Sequence, residues 1–191
     1  KGTSKQIWDR LEGVPTDYCS YGNFYGTSQL QVLANSLLSQ KGDNAAIPIR
    51  RLGLIIGDFR VGLHSAHREF IQRSRECLGA EGYLLVVTPS KRTILATSTK
   101  EDCWSDGERA DSIISNRYVN GLWIADMPRE FHSAPDKYWR TVWEAIKPDF
   151  VLLGEKSHPL QETFAAQCQH LGGILLIDDQ SVTVRSEDLL P

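Results

Sequence analysis

The sequence predicts an α/β fold, a Rossmann-like open parallel sheet of about five strands with flanking helices. From residue 51 onward, short runs of β-branched and aliphatic residues alternate with segments whose apolar residues recur at helical spacing. Residues that end helices, Pro148 and the pair Gly172-Gly173, come directly before two of the apolar runs. This alternation is typical of parallel strands joined by helical crossovers.

The apolar runs are the predicted strands, and they cover residues 52–56, 83–88, 121–125, 150–153 and 174–177. Between them lie four sets of apolar residues at three- and four-residue steps, and each set forms one buried face of a helix. The sets are Phe70, Ile71, Ser74 and Leu78; Ala110, Ile113 and Ile114; Trp139, Val142, Trp143 and Ile146; and Leu160, Phe164, Cys168 and Leu171. Because Trp139 and Trp143 share this spacing, we expect them in the core rather than in a stacking site.

The first fifty residues are predicted to be an appendage and linker, followed by a single domain over residues 51–191. A loop rich in Tyr, Gly, Asn and Ser precedes one helix, whose apolar face needs a partner. That face carries Leu30, Leu33, Ala34, Leu37 and Leu38.

Composition and charge argue against several classes of protein. With 191 residues, 41% of them hydrophobic, the chain can bury the core of one domain. A formal charge of −3 with interspersed signs gives no reason to expect nucleic acid or an anionic membrane as partner. No apolar run approaches the roughly 20 residues of a membrane span, and no signal segment opens the sequence. Four scattered cysteines favour reduced thiols, so we expect a soluble, cytoplasmic protein with a small-molecule ligand.

Two histidines follow the first predicted strand. That strand ends at Gly57, and His64 and His67 stand at the start of the next predicted helix. Anions bind at helix N-termini, where backbone N–H groups are free, and open sheets bind ligands outside the carboxyl ends of their strands. Both imidazoles can reach one phosphate chain and stabilise charge on the α-phosphate and the departing pyrophosphate. The alternatives are ordinary helix-start histidines or ligands of an adventitious metal, although no third ligand is recruited by spacing.

Three segments occur in a fixed order along the chain. Residues 64–67 are His-Ser-Ala-His, residues 108–111 are Glu-Arg-Ala-Asp with Arg-Tyr-Val-Asn-Gly at 117–121, and residues 147–155 are Lys-Pro-Asp-Phe-Val-Leu-Leu-Gly-Glu. They resemble the HxGH, ER…RYVD and PDxxxxGxD/E motifs of the HxGH nucleotidyltransferase superfamily. Within it, the chain is similar to the cytidylyltransferase-like family, which includes glycerol-3-phosphate, phosphoethanolamine/phosphocholine and heptose-phosphate nucleotidyltransferases. The resemblance covers residue 51 to the C-terminus.

The resemblance implies transfer of CMP, or AMP, from CTP or ATP to a phosphorylated small alcohol or sugar, with release of pyrophosphate. It implies Mg²⁺ as cofactor, because the triphosphate charge must be offset, and a homodimer as an assembly state. It assigns catalysis to His64, His67 and Lys100, with Lys91 as the alternative to Lys100. Around the nucleotide it places Gly57, Asp58, Phe59, Ala66, Arg109, Gly154, Glu155 and Ser186.

The chain departs from the family pattern at three places. Arg60 stands where the family has Asp, and one extra residue precedes the first histidine. Ala66 replaces the Gly of HxGH, so that a methyl group narrows the room for phosphate. In the region of the family's Ile-Ser-Thr-Thr signature, Ser186 alone keeps a hydroxyl, and Ser181 or Thr183 is the alternative if the last loop is shifted.

Two alternative functions stay open. Ala66 and the altered C-terminal signature favour a degenerate nucleotidyltransferase fold that acts as a nucleotide-binding or interaction module. Residues 62–67, Gly-Leu-His-Ser-Ala-His, also resemble the GxLHxGH of an adenylyl-transferring relative such as a pantothenate synthetase-like enzyme, although the ER…RYVD segment favours the cytidylyl branch. A generic dinucleotide-binding domain is disfavoured, because Gly53 and Gly57 do not form a Gly-x-Gly-x-x-Gly turn.

Overall fold

A computed structural model describes residues 51–98, 102–154 and 160–178, together with residues 30, 34, 35, 37–39 and 41. Its centre is a five-stranded sheet in which every neighbouring pair is parallel and the strand order is β3-β2-β1-β4-β5. The strands are β1 (Arg51–Ile56), β2 (Gly82–Pro89), β3 (Gly121–Ala125), β4 (Phe150–Leu153) and β5 (Ile174–Ile177). The Rossmann-like α/β fold is therefore confirmed, and each predicted strand lies within an observed one.

Helices cover both faces of the sheet. They are α1 (Ser65–Leu78), α2 (Lys91–Thr97), α3 (Asp106–Ile114), α4 (Pro135–Ile146) and α5 (Gln161–Leu171), with a short 3₁₀ turn at Arg129–Phe131. Apolar residues of α1 and α3 pack in one core, and those of α4 and α5 pack in a second core. Because right-handed crossovers place the two groups on opposite faces, the strand order and the two cores describe one doubly wound domain.

The predicted apolar faces of α1, α3 and α4 are confirmed, since all their members are buried. Trp139 and Trp143 are 5% and 1% exposed, as expected of core residues. The prediction is wrong for one member of the α5 face. Leu171 is 51% exposed, because it is the last residue of the helix and Gly172 turns the chain away. Helix α2 was not predicted, since its seven residues bury only Thr93 and Ile94.

The helix expected near the N-terminus has a partner in this domain. Leu30, Ala34 and Leu37 are buried, and Leu30 and Leu37 belong to the core that contains Trp143. Leu33 lies outside the described residues. Just beyond, the Lys41 ammonium group lies 2.9 Å from Asp149 Oδ1. The apolar face of the first segment therefore packs on the sheet domain.

The strand order fixes where a ligand site is expected. The chain runs from β1 outward to β3 and then returns to β4 on the other side of β1. This reversal separates the loops at the carboxyl ends of β1 and β4, and ligands of open α/β sheets bind at such a switch point. Among the described residues, Cys77, Cys103 and Cys168 have free thiols, and no helix is long and apolar enough to cross a membrane.

Candidate active site

The loop that follows β1 is anchored to the end of β2. The Gly57 N–H donates to the Val87 carbonyl at 3.1 Å. The Asp58 carbonyl accepts from Thr88 Oγ1 at 2.9 Å and from Arg109 Nη1 at 2.6 Å. These contacts hold the loop backbone against the sheet before it reaches the histidines.

The same loop turns sharply and packs against α3. Phe59 has a φ of 44°, and the Gly62 N–H closes the turn by donating to the Phe59 carbonyl at 2.9 Å. The Arg60 carbonyl accepts from the Trp104 N–H at 2.9 Å. These backbone bonds hold the loop where it enters α1.

His64 and His67 lie together at the N-terminus of α1. Their rings are stacked, with centroids 3.6 Å apart and 23° between the ring planes. The Phe59 ring meets the His67 ring edge-on at a centroid distance of 5.0 Å. His64 is the N-cap residue of α1, and in the described structure its side chain makes no capping hydrogen bond. The predicted pair is thus one unit at the switch point.

Most of the ring nitrogens of this pair lack a partner. Both nitrogens of His64 and Nδ1 of His67 are shielded from solvent and make no hydrogen bond within the described structure. Leaving buried polar groups unpaired costs about 1–3 kcal/mol each, unless a ligand or water supplies the bond. Three unpaired nitrogens within two stacked rings are therefore a strong sign of a ligand site.

Burial sets the protonation state of both rings. Desolvation lowers the pKa of His64. The pKa of His67 falls to about 4, mainly through desolvation and then through repulsion from His64, against a backbone hydrogen bond to Gly62 that raises it. Both imidazoles are therefore neutral at pH 7, with one N–H donor and one acceptor each. The bond to the backbone of Gly62 takes up the N–H of His67, which leaves its other nitrogen as an acceptor.

The surrounding charges favour an anion over a cation. The first turn of α1 contains no acidic residue, and its backbone N–H groups lie at the positive end of the helix dipole. Asp58 is the acidic side chain of the loop, and its Oδ2 lies 3.6 Å from Nε of the buried Arg60. Arg60 thus brings a positive charge beside that carboxylate.

The structure brings several predicted nucleotide-binding residues to this place. Gly57, Asp58 and Phe59 form the loop before the histidines, and Ala66 lies half-buried in the first turn of α1. Gly154 follows β4, where an added Cβ would lie 3.7 Å from the ring of Phe70 on α1. These residues therefore surround the switch point, although their contact with a nucleotide stays a prediction.

Other predicted positions cannot be placed around the pair. Lys100, Glu155 and Ser186 lie outside the described residues, as do Ser181 and Thr183. Lys91, the alternative to Lys100, is the first residue of α2, and its backbone N–H donates to Asp106 Oδ1 at 2.6 Å. Catalytic roles for either lysine stay predictions.

Arg109 lies beneath the loop and is fully buried. Besides the Asp58 carbonyl, its guanidinium group donates to Thr88 Oγ1, to the Pro89 carbonyl at 2.6 Å and to Asp106 Oδ1 at 2.7 Å. Its Nε has no partner among the described residues. These contacts tie the ends of β1 and β2 to α3, and a ligand contact by Arg109 stays a prediction.

Sequence reasoning missed the groups that hold the loop from α3 and β2. The Leu63 N–H donates to Ser112 Oγ at 2.8 Å, and Thr88 Oγ1 bonds the Asp58 carbonyl. These partners are 49 and 30 positions apart in the sequence, so no local pattern signals them. A capping box between Ser105 and Glu108 did have a local signal, Ser-x-x-Glu.

No group of three or more His, Cys, Asp or Glu side chains within the described ranges is arranged to hold a metal ion. Mg²⁺ also prefers several oxygen ligands, and the imidazole pair offers nitrogen. Among the residues described, the donor set at the pair therefore suits an anion rather than a resident Mg²⁺.

Comparison with solved structures shows the fold. The chain is similar to a lipopolysaccharide core biosynthesis protein from Thermoplasma volcanium GSS1, with 18% identity and a TM-score of 0.50 over 69% of this chain and 98% of that one. It is also similar to a macrolide-efflux protein from Streptococcus pneumoniae, with 15% identity and a TM-score of 0.50 over 73% of this chain and 47% of that one. The fold is shared. A pantoate-β-alanine ligase from Francisella tularensis, complexed with β-γ ATP and β-alanine, gives 14% identity and a TM-score of 0.48 over 83% of this chain and 67% of that one.

No protein-family model matches the sequence, and no curated protein matches it either. Similarity at these identities concerns the arrangement of strands and helices alone. The chemistry of this chain must therefore be argued from its own residues.

Proposed function

We propose that the chain is a nucleotidyltransferase that moves CMP, or AMP, from a nucleoside triphosphate to a phosphorylated small alcohol or sugar. The observation that carries this proposal is the stacked pair of His64 and His67, whose unpaired nitrogens lie at the open N-terminus of α1. A polyphosphate supplies hydrogen-bond acceptors for the free N–H groups at the α1 N-terminus, and its negative charge complements the positive end of the helix dipole. The resemblance of residues 64–67, 108–121 and 147–155 to the cytidylyltransferase-like motifs supports the same reaction.

In this reaction, a phosphate oxygen of the acceptor attacks the α-phosphorus of the nucleotide. A new P–O bond forms while the bond between the α-phosphorus and the bridging oxygen breaks, and pyrophosphate leaves with that bond's electron pair. Negative charge grows on the bridging oxygen and on the leaving group, where imidazole N–H groups donate hydrogen bonds. We propose that His64 donates its N–H to phosphate. The negative charge of the bound phosphates favours protonation of His67, whose nitrogen that does not bond Gly62 then donates as well. No covalent intermediate with the protein is needed.

Mg²⁺ enters this scheme as part of the nucleotide substrate. It offsets the charge of the triphosphate during the displacement, and phosphate oxygens supply the hard ligands that it prefers. We propose that Gly57, Asp58, Phe59 and Ala66 line the phosphate side, with Gly154 on the β4 side. Arg109, Glu155 and Ser186 are proposed around the nucleotide, and Lys100 is proposed to hold phosphate.

The test is pyrophosphate release from CTP and ATP, each paired with a panel of phosphorylated alcohols and sugars in the presence of Mg²⁺. The proposal expects turnover with at least one pair and a larger rise in thermal stability with the preferred nucleotide than with the other. Preference for ATP would favour the adenylyl-transferring relative over the cytidylyl branch. The enzyme proposal fails if every pair gives no pyrophosphate above the protein-free reaction.

A second function is a nucleotide-binding or interaction module without turnover. It is supported by Ala66, whose methyl group stands in the first turn of α1 where the family has hydrogen. Calorimetry separates the two functions: saturable nucleotide binding without pyrophosphate release supports the module. Turnover that falls sharply in His67→Ala supports the enzyme.

We also propose a cellular location, a domain organisation and an oligomeric state for the enzyme. We place the enzyme in the cytoplasm, with residues 51–191 as the nucleotidyltransferase domain and residues 1–50 as its appendage. A homodimer is the assembly proposed for it. Light scattering of the full chain measures the mass and decides between dimer and monomer.

A further inference from the structure

Ser112 is on α3, but its side chain contacts the loop that carries the histidines. Its Oγ accepts a hydrogen bond from the Leu63 N–H at 2.8 Å. Leu63 is 8% exposed and directly precedes His64, the N-cap residue of α1. Ser112 thereby fixes the Gly62-Leu63 peptide unit, one residue before the first histidine.

Ser112 also contacts the neighbouring residue of the loop. A Cβ built on Gly62 would lie 2.6 Å from Ser112 Oγ and 2.7 Å from Ser112 Cβ, so the Gly62 backbone packs directly on this side chain. Gly62 has a φ of 73°, and its backbone is hydrogen-bonded to the imidazole of His67. One serine side chain thus touches the two backbone units that determine where both rings lie.

We infer that Ser112 is a positioning residue, whose hydroxyl holds the Gly62-Leu63 backbone so that His67 stays stacked on His64 and directed at a phosphate. This role rests on the proposed function, because it is phosphate that the pair is positioned to bind. Ser112 itself touches no reacting atom. It acts through the position of His67. A displacement of about 1 Å in a catalytic group can lower the rate roughly a hundredfold, so a positioning contact of this kind can have a large effect.

The first test is Ser112→Ala, probed with inorganic pyrophosphate by calorimetry. Removing Oγ leaves the buried Leu63 N–H without its partner, and the loop loses its anchor on α3. We expect pyrophosphate affinity to fall by about tenfold. Ser115→Ala is the matched control, because the Ser115 hydroxyl is exposed and donates to the Ser112 carbonyl within the same segment of chain. An unchanged affinity in Ser112→Ala overturns the inference.

A second measurement separates positioning from a general loss of structure. In a His67→Ala background, Ser112→Ala should change pyrophosphate affinity by less than about twofold, because the residue through which it acts is gone. The same tenfold loss in both backgrounds would show that Ser112 does not act through His67. Thermal denaturation of each variant confirms that the compared proteins are folded.

The third measurement needs no ligand. NMR titration of the His67 ring should give a pKa near 4 in the wild-type chain and in Ser115→Ala. It should give a value shifted toward 6.5 in Ser112→Ala, where water reaches the released ring. An unshifted pKa overturns the positioning role. If wild-type protein binds no pyrophosphate but the shift is seen, the proposed function fails while the positioning role stands.

Discussion

The loop after β1 leads into α1 and is bonded to α3, yet the backbone N–H groups at the N-termini of these two helices are treated in opposite ways. In α3, Ser105 Oγ accepts from the Glu108 N–H at 3.2 Å, and Glu108 Oε2 accepts from the Ser105 N–H at 2.9 Å. Asp106 and Glu108 add negative charge to this first turn. In α1, His64 makes no cap within the described structure and the first turn has no acid. The chain thus completes one helix start and leaves the other open.

This difference indicates that the α3 N-terminus has a structural role and that the α1 N-terminus is the better candidate for binding an anion. A capped N-terminus has already gained its hydrogen bonds and its favourable charge, so an anion has little to add there. An open N-terminus with three unpaired imidazole nitrogens among the described residues gains hydrogen bonds and favourable charge when an anion binds. The segment that resembles the family's ER motif therefore has structural contacts here: Glu108 caps α3, and Arg109 holds the loop below the histidines.

The largest expected effect comes from a substitution at the uncapped N-terminus of α1. His67→Ala removes one of the two imidazoles that we propose as donors to phosphate, and loss of one such donor is expected to lower turnover by roughly a hundredfold to a thousandfold. Pyrophosphate release with the preferred substrates measures it. His170→Ala, at the exposed end of α5, is the matched control and should keep full turnover. A His67→Ala protein with wild-type turnover would remove the pair from catalysis.

The next effect is the pH dependence of stability. The folded pKa of His67, about 4, lies below its unfolded value near 6.5, so the unfolded chain binds more protons between these values. The free energy of unfolding therefore falls as pH decreases through this window, by about 2 kcal/mol between pH 7 and pH 5. The lowered pKa of His64 acts in the same direction.

Urea denaturation of the wild-type chain, His67→Asn and His170→Asn at both pH values measures this term. Subtracting the His67→Asn result removes the contribution of carboxylates, which all variants share. His170→Asn should retain the full loss. Equal losses in the wild-type chain and in His67→Asn would mean that His67 is not held neutral by burial.

Sequence patterns predicted most of the fold because they report local periodicity. Apolar runs located all five strands, and three- to four-residue spacing located α1, α3, α4 and α5. The short α2 was missed, since seven residues give too little periodicity. The pair at the start of α1 was predicted because strand end, helix start and histidines adjoin in sequence. Its anchoring by Thr88, Arg109 and Ser112 was not, because those contacts join distant segments.

A smaller effect is expected from a substitution at the capped N-terminus of α3. Ser105→Ala removes the cap of α3 and should lower the free energy of unfolding by about 1 kcal/mol. Pyrophosphate affinity should stay within about twofold of wild type, since the hydrogen bonds of Ser105 are internal to α3. Chemical denaturation and calorimetry measure the two quantities. A tenfold loss of affinity would make both helix starts part of one site.

The smallest expected effect concerns the room beside the open helix start. Ala66→Gly removes a methyl group from the first turn of α1, so that a phosphate bound there as proposed would approach the α1 backbone more closely. Pyrophosphate affinity should rise by roughly threefold, about 0.6 kcal/mol. The free energy of unfolding should fall by about 0.5–1 kcal/mol, because glycine is less favourable than alanine in a helix. If the methyl group faces the anion, calorimetry should show a rise in pyrophosphate affinity while urea denaturation shows a fall in the free energy of unfolding. A fall in both quantities would mean that Ala66 supports the helix and does not restrict the site.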